Sequence, residues 1–230
     1  MDVARFVKTF ETIYSDSSYK VPDDSLFSPF VAHRIDLCPD VQGMLSLRKQ
    51  RLLNRAFSLL PPGECYFEVG TYHGKSLISA MLNNPARPVY AADNFSEFEG
   101  NSLQVLMDNL GKYGLRDKMT FYDADFHKVF TPEHLPIPIG LYFFDGPHDE
   151  QSQYDGIHLV EPFLADQALV LVDDWRLAAD SGSYAEAGTL RAVADSPNKW
   201  RLLYELPARC NGDLGLWWNG VAVLSFERVA

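Results

Sequence analysis

Residues 65–76 read CYFEVGTYHGKS, and this stretch decides the fold. The apolar run Cys65–Val69 is typical of a short strand that is buried on both faces. Gly70 and Gly74 follow it, and glycine permits the tight turn and positive φ angles that carry a strand into a helix. The stretch therefore predicts a strand, a turn and a helix whose free N–H groups point at the turn.

Two phosphate-binding motifs are absent from this stretch. The dinucleotide fingerprint G-x-G-x-x-G fails because Tyr72 and Lys75 stand where its second and third glycines belong. The P-loop motif fails as well, since only three residues separate Gly70 from Gly74. A structural turn between a strand and a helix therefore remains an alternative to a ligand-binding turn.

The alternation of strands and helices continues along the chain. Such alternation predicts an α/β fold, a doubly wound, mainly parallel sheet with helices on both faces. In open sheets of this kind, ligands bind beyond the carboxyl ends of the strands. The predicted strands are 65–69, 89–92, 119–122, 139–144, 169–172, 200–206 and 221–226, and the predicted helices of this part are 74–82, 99–113, 150–164 and 184–195.

The first 60 residues have a different pattern. Apolar residues recur at helical spacing over residues 1–14, and prolines mark residues 15–40 as irregular. An amphipathic helix is predicted over residues 41–60, before Pro61 and Pro62. We expect residues 1–60 to form a helical cap or extension that is also a candidate homo-oligomer contact, and residues 61–230 to form the main domain.

Composition excludes several classes of protein. The 230 residues include 20 Lys and Arg against 31 Asp and Glu, a net charge of −11, which argues against nucleic acid as a partner. The longest apolar runs fall far short of the roughly 18–20 residues of a membrane span, and no secretory signal is evident. Three widely spaced cysteines favour neither a disulfide scaffold nor a zinc site. We therefore expect a cytoplasmic protein that does not bind membranes.

Acidic residues follow the second and third predicted strands. Asp93, with Asn94 beside it, is placed to accept hydrogen bonds from a ribose diol. Asp123 and Asp125 follow the third strand, where a polar side chain can meet an adenine amino group. The pattern does not decide which of the two faces the ligand, and a solvated turn residue is the alternative in each case.

Three carboxylates and an imidazole follow the fourth and fifth strands. Asp145 and His148 lie in FFDGPH, and Asp173 and Asp174 lie in VLVDDW. Several carboxylates at one sheet edge suit a hard divalent cation such as Mg²⁺, which would also relieve their mutual repulsion. His148 is alternatively a general base, because its ordinary pKa lies near neutrality. Helix capping by a single Asp is the structural alternative.

Taken together, these motifs resemble the class I S-adenosylmethionine-dependent methyltransferases over roughly residues 41–227. They resemble especially the small-molecule O-methyltransferases that carry D-G-x-H and D-D motifs. The resemblance implies a Rossmann-like sheet of seven strands, the last one antiparallel. It implies Asp145, Asp173 and Asp174 as metal ligands. It implies that the cofactor is bound by Glu68, Gly70, Thr71, Tyr72, Gly74, Ser76, Asp93, Asn94, Asp123 or Asp125, and Asp145.

The expected activity is methyl transfer from S-adenosylmethionine to an oxygen of a small-molecule acceptor. His148 and Asp145 are the expected catalytic residues, acting with a divalent metal such as Mg²⁺ or, without a metal, through His148 as the base. Two other functions stay open. One is a non-catalytic S-adenosylmethionine-binding protein, and the other is a nicotinamide-dependent oxidoreductase of Rossmann-like fold.

Overall fold

One seven-stranded sheet organises the computed structural model, which describes residues 1–23, 35–98, 100–175 and 182–229. The spatial order is β3-β2-β1-β4-β5-β7-β6, in which β7 runs antiparallel to both of its neighbours and the other pairs are parallel. The predicted fold class is therefore confirmed. The strands are β1 (Cys65–Val69), β2 (Val89–Asp93), β3 (Thr120–Asp123), β4 (Ile139–Phe144), β5 (Leu164–Asp173), β6 (Lys199–Leu206) and β7 (Val221–Glu227).

The helices cover both faces of this sheet. Side chains from the first four helices pack in one apolar cluster, and side chains from the last two pack in a second cluster on the opposite face. Successive residues of a strand point to opposite faces, so the continuous apolar runs of β1 and β4 serve both clusters. The helices are α1 (Val3–Ile13), α2 (Leu47–Ser58), α3 (Lys75–Met81), α4 (Ser102–Lys112), α5 (Glu150–His158) and α6 (Tyr184–Asp195).

Two predicted boundaries are wrong. The helix predicted over 150–164 ends at His158, and β5 begins at Leu164 instead of residue 169. Pro162 lies in a short 3₁₀ helix between them and does not continue an α-helix, because it has no N–H to donate. The start of the strand was not predicted because two exposed residues, Asp166 and Gln167, interrupt its apolar pattern.

The helix predicted over 41–60 begins later than expected. Ser46 caps α2 by accepting a hydrogen bond from the N–H of Lys49 at 3.4 Å, so the helix starts at Leu47. The segment predicted as irregular, 15–40, contains a 3₁₀ helix at Ser15–Lys20. Its residues 24–34 lie outside the described part of the chain.

The N-terminal segment packs on the sheet. Phe6, Phe10 and Tyr14 are buried in the first cluster, and the ring of Phe10 stacks on Tyr204 of β6 with centroids 4.1 Å apart. The indole N–H of Trp217 donates to the carbonyl of Tyr19 at 2.7 Å. The division of the chain after residue 60 stays a prediction. Among the described residues, no helix is both long and apolar enough to cross a membrane.

Strand register brings the candidate residues to one edge of the sheet. Val69 of β1 pairs with Phe144 of β4, and Phe144 pairs with Val172 of β5. The residues that follow these three strands therefore stand side by side. The sheet extends in opposite directions from β1 and β4, so this edge is also the point where strand order reverses and where ligands bind in such folds.

Candidate active site

The turn after β1 is shaped by two glycines. Gly70 has φ +83°, and a Cβ added to it would lie 1.8 Å from the backbone oxygen of Asp145. Gly74 has φ +87° and stands at the N-terminal cap of α3. A side chain at position 70 would thus separate the ends of β1 and β4, which explains why glycine is needed there.

The Asp93 carboxylate holds this turn in place. It accepts hydrogen bonds from the N–H groups of Thr71 and Tyr72, both at 2.8 Å, and from the N–H of Phe95 at 2.7 Å. Tyr72 and Phe95 have positive φ angles, 46° and 52°, which non-glycine residues rarely adopt. Oδ2 also accepts a longer hydrogen bond from the Thr71 hydroxyl at 3.4 Å, whereas Oδ1 accepts the N–H of Phe95, so Oδ1 retains an acceptor position for a ligand hydroxyl.

Glu68 lies behind the turn. Its side chain is fully buried, and it accepts hydrogen bonds from the hydroxyls of Ser76 at 2.6 Å and Tyr66 at 2.5 Å. Burial raises the pKa of Glu68 to about 7, although both hydroxyls oppose the shift. Glu68 therefore supports the turn from the protein interior.

A cavity of about 240 Å³ opens at this edge of the sheet. Thr71 and Ser76 line a smaller adjoining cavity of about 40 Å³, whereas Glu68, Gly74 and Asp123 line neither. The predicted residues that line the main cavity are Gly70, Tyr72, Asp93, Asn94, Asp125, Asp145 and His148.

The structure separates the two carboxylates that follow β3. Asp123 is exposed and does not line the cavity, whereas Asp125 does. Asp125 accepts a hydrogen bond from the N–H of His127 at 2.9 Å and contacts His127 Nδ1 at 2.7 Å. Burial acts to raise the pKa of Asp125, but these contacts outweigh it and lower the pKa. His127 was not singled out in the sequence, where it is an unremarkable polar residue.

Asp145, His148 and Asp174 form a compact group. One potential ligand atom from each lies within 4.8 Å of the others. His148 Nε2 lies 3.0 Å from Asp174 Oδ2, and the Tyr184 hydroxyl donates to the same oxygen at 3.0 Å. Tyr184, at the start of α6, gave no signal in the sequence because it lies 10 residues away from its partner.

The charges of this group are strongly coupled. Burial, together with the negative charges of Asp173 and Asp174, raises the pKa of Asp145 well above its ordinary value. The hydrogen bond to Asp174 raises the pKa of His148. Burial acts to raise the pKa of Asp174 too, but the His148 hydrogen bond and the charge of Lys49 lower it to about 2. A concentration of negative charge with one imidazole is a setting that attracts a cation.

Asp173, predicted as a metal ligand with Asp145 and Asp174, is not a member of this group of three, although its negative charge acts on Asp145. Its carboxylate forms an ion pair with Lys49 of α2, and the exposed fractions of the two side chains are only 3% and 1%. Burial raises the pKa of Asp173 to about 6, while Lys49 opposes the shift. Sequence patterns do not single out Lys49, because it is one of several basic residues on an amphipathic helix.

Comparison with known proteins identifies the central part of the chain. Residues 67–175 match a family model described as a methyltransferase domain. No curated protein matches the sequence. This span contains the turn after β1 and the acidic residues after β2 to β5, so the match rests on the segment that builds the cavity.

Solved structures share the fold at low sequence identity. The O-methyltransferase TomG from Streptomyces achromogenes, involved in tomaymycin synthesis and solved in complex with SAM, is 16% identical, with 100% of both chains covered and a TM-score of 0.58. The O-methyltransferase from Bacillus cereus, solved in complex with SAH, is 13% identical, with 97% of this chain and 91% of that chain covered and a TM-score of 0.55. At such identities the likeness shows the fold alone.

Proposed function

We propose that this protein moves a methyl group from S-adenosylmethionine to an oxygen of a small-molecule acceptor, because residues 67–175 match the model of a methyltransferase domain. The observation that carries the proposal is a single sheet edge. There the Gly70–Gly74 turn, a cavity and the group of Asp145, His148 and Asp174 adjoin one another. A cofactor on the turn would present its methyl group beside residues able to receive a proton or hold a cation.

The cavity suggests a place for each part of the cofactor. We assign the ribose hydroxyls to Asp93, whose carboxylate lines the cavity and has acceptor capacity left. We assign the adenine amino group to Asp125, because Asp125 lines the cavity and Asp123 does not. The methionine part would lie at the turn, where the N-terminus of α3 presents free N–H groups.

The residues present fit a divalent metal ion. Two carboxylates and one imidazole, from Asp145, Asp174 and His148, converge within the reach of one ion. A metal ion bound there would lower the pKa of an acceptor hydroxyl and orient it toward the methyl group. The chain's own task is then to hold acceptor and cofactor in line and to keep the three ligands together, to which Tyr184 contributes by its hydrogen bond to Asp174.

A metal-free route uses the same residues differently. His148 is hydrogen-bonded to Asp174, and a carboxylate that orients an imidazole is a common arrangement for a general base. In the metal-free route Nε2 keeps its proton toward Asp174 and Nδ1 would accept the proton of the acceptor hydroxyl, whereas as a metal ligand Nε2 would have to carry no proton, so the two mechanisms exclude each other. Removal of metal with a chelator distinguishes them, because only the metal-assisted reaction stops.

Calorimetric titration with S-adenosylhomocysteine, in the presence and absence of Mg²⁺, is the first test. We expect a dissociation constant in the micromolar range or below, and a measurable effect of the metal on binding. Absence of binding in both buffers would contradict the proposed function. Titration with oxidised and reduced nicotinamide cofactors is the matched control, since the rival oxidoreductase function requires one of them to bind.

Turnover separates catalysis from binding alone. With an acceptor panel, a methyltransferase releases S-adenosylhomocysteine in proportion to acceptor, whereas a non-catalytic S-adenosylmethionine-binding protein does not. The small-molecule acceptor, the cytoplasmic location and an oligomer contact through residues 1–60 stay predictions.

A further inference from the structure

Lys49 places a buried positive charge beside Asp173, next to the candidate active site. It belongs to α2, outside the segment that matches the methyltransferase domain, and its partner is Asp173. Both side chains are almost completely buried. A charge so far from water remains only when it is paired, so this contact is a fixed part of the structure.

The pairing engages one carboxylate oxygen of Asp173, Oδ1. The carboxylate oxygen that contacts Lys49 also accepts a hydrogen bond from the N–H of Asp174 at 2.8 Å. The ligand atoms of Asp145, His148 and Asp174 lie within 4.8 Å of one another, and Asp173 is not a member of that group. The group therefore offers two carboxylates and one imidazole, and not three carboxylates.

The two ring nitrogens of His148 are placed as in a histidine that binds a metal ion. Its Nε2 faces the group, whereas its Nδ1 lies 3.7 Å from the Glu97 carboxylate. Imidazoles that bind metals usually turn their second nitrogen to a carboxylate or carbonyl, which fixes the ring. Glu97 is placed to do this for His148.

We propose that the ion pair with Lys49 keeps Asp173 from coordinating a metal ion, so that the site binds a transition-metal ion more tightly than Mg²⁺. The inference rests on the metal-assisted form of the proposed function. Imidazole favours first-row transition metals, whereas sites of oxygen ligands alone suit Mg²⁺.

Titration of the full chain with Co²⁺ and with Mg²⁺ tests the metal preference. We expect Co²⁺ to bind at least tenfold more tightly than Mg²⁺. We expect His148→Ala to abolish this preference and to change the visible absorption of bound Co²⁺, a signal that a general loss of structure does not mimic. Equal affinity for both ions, or a Co²⁺ spectrum unchanged by the substitution, would overturn the proposal.

Asp173→Asn tests the part assigned to Lys49. We expect it to change Co²⁺ affinity by less than threefold, whereas a loss of more than tenfold would make Asp173 a ligand. Because the single variant leaves Lys49 buried without its partner, Lys49→Met/Asp173→Asn is the matched variant that removes both charges. It is expected to retain Co²⁺ binding, and loss of binding by this folded double variant would equally overturn the proposal.

Binding of S-adenosylhomocysteine keeps the two proposals distinguishable. A wild-type protein that binds S-adenosylhomocysteine but neither metal would overturn the inference and the metal-assisted mechanism, and would leave methyl transfer standing. A protein that binds metal with the expected preference but no S-adenosylhomocysteine would contradict the proposed function alone.

Discussion

At the scale of single residues, two aspartates only two positions apart have different surroundings. Asp125 lines the cavity, and Asp123 is exposed to solvent. We expect Asp125→Asn to weaken S-adenosylhomocysteine binding about tenfold, since one hydrogen bond to a carboxylate contributes about 1.5 kcal/mol or more. Asp123→Asn is the matched control and should stay within twofold by calorimetry. Equal effects of the two substitutions would refute the adenine assignment.

The raised pKa of Glu68 predicts that the free energy of unfolding depends on pH. Burial raises its pKa from an ordinary 4.5 to about 7, so the folded protein binds a proton that the unfolded chain releases. The free energy of unfolding therefore falls as pH rises from 4.5 to 7, by about 3 kcal/mol for this group. Glu68→Gln removes the effect, so the variant should lose less stability than wild type in urea titrations between pH 5 and pH 8. If the stability of wild type and of Glu68→Gln changed with pH in the same way, the raised pKa of Glu68 would be contradicted.

The sequence predicts residues that follow strands and fails for those that do not. Asp93, Asp145 and His148 reach the cavity because strand ends of a parallel sheet meet at one edge. Asp123 and Asp125 could not be told apart, since the choice depends on where β3 ends. Lys49 could not be found, because its contact with the site spans 124 positions and depends on how α2 packs.

At the scale of elements, two helical glycines should respond to alanine in opposite directions. A Cβ at Gly188 of α6 would lie 2.3 Å from the carbonyl oxygen of Glu150 in α5, so Gly188→Ala must push the two helices apart. We expect a loss of about 2–3 kcal/mol. Gly111 of α4 has nothing within 4 Å of its added Cβ, and Gly111→Ala should gain up to about 1 kcal/mol from helix propensity. Thermal unfolding measures both, and shifts of the same sign would contradict the close packing of α5 on α6.

Element types were predictable and some boundaries were not. Continuous apolar runs identified β1 and β4 with the ends that the structure shows. The start of β5 was missed because its first residues pair at the sheet margin, where Gln167 lies opposite Glu227 and both side chains face solvent. A polar pair in such a place is compatible with a strand but carries no periodic signal.

At the scale of the whole molecule, the N-terminal segment and the sheet share one apolar cluster. Phe10 stacks on Tyr204, and Tyr14 lies 5.5 Å from Trp217 between ring centroids. We expect tryptophan fluorescence and far-UV circular dichroism to report one coincident thermal transition. Phe10→Ala should lower the midpoint temperature of that transition in both signals, because it should reduce the free energy of unfolding by about 3–5 kcal/mol. Ile13→Ala, at a half-exposed position, is the control and should have a much smaller effect. A separate early transition would instead show that the segment unfolds on its own.

The Lys49–Asp173 contact also sets the limits for recombining this protein with its relatives. A chimera that exchanges only residues 67–175 separates Asp173 from Lys49, which lies outside that span. A buried carboxylate left without a partner costs roughly 3–5 kcal/mol, enough to unfold many domains. The smallest unit that can be exchanged intact therefore begins before α2, and the useful crossover point lies upstream of Ser46, well outside residues 67–175 that match the methyltransferase-domain model.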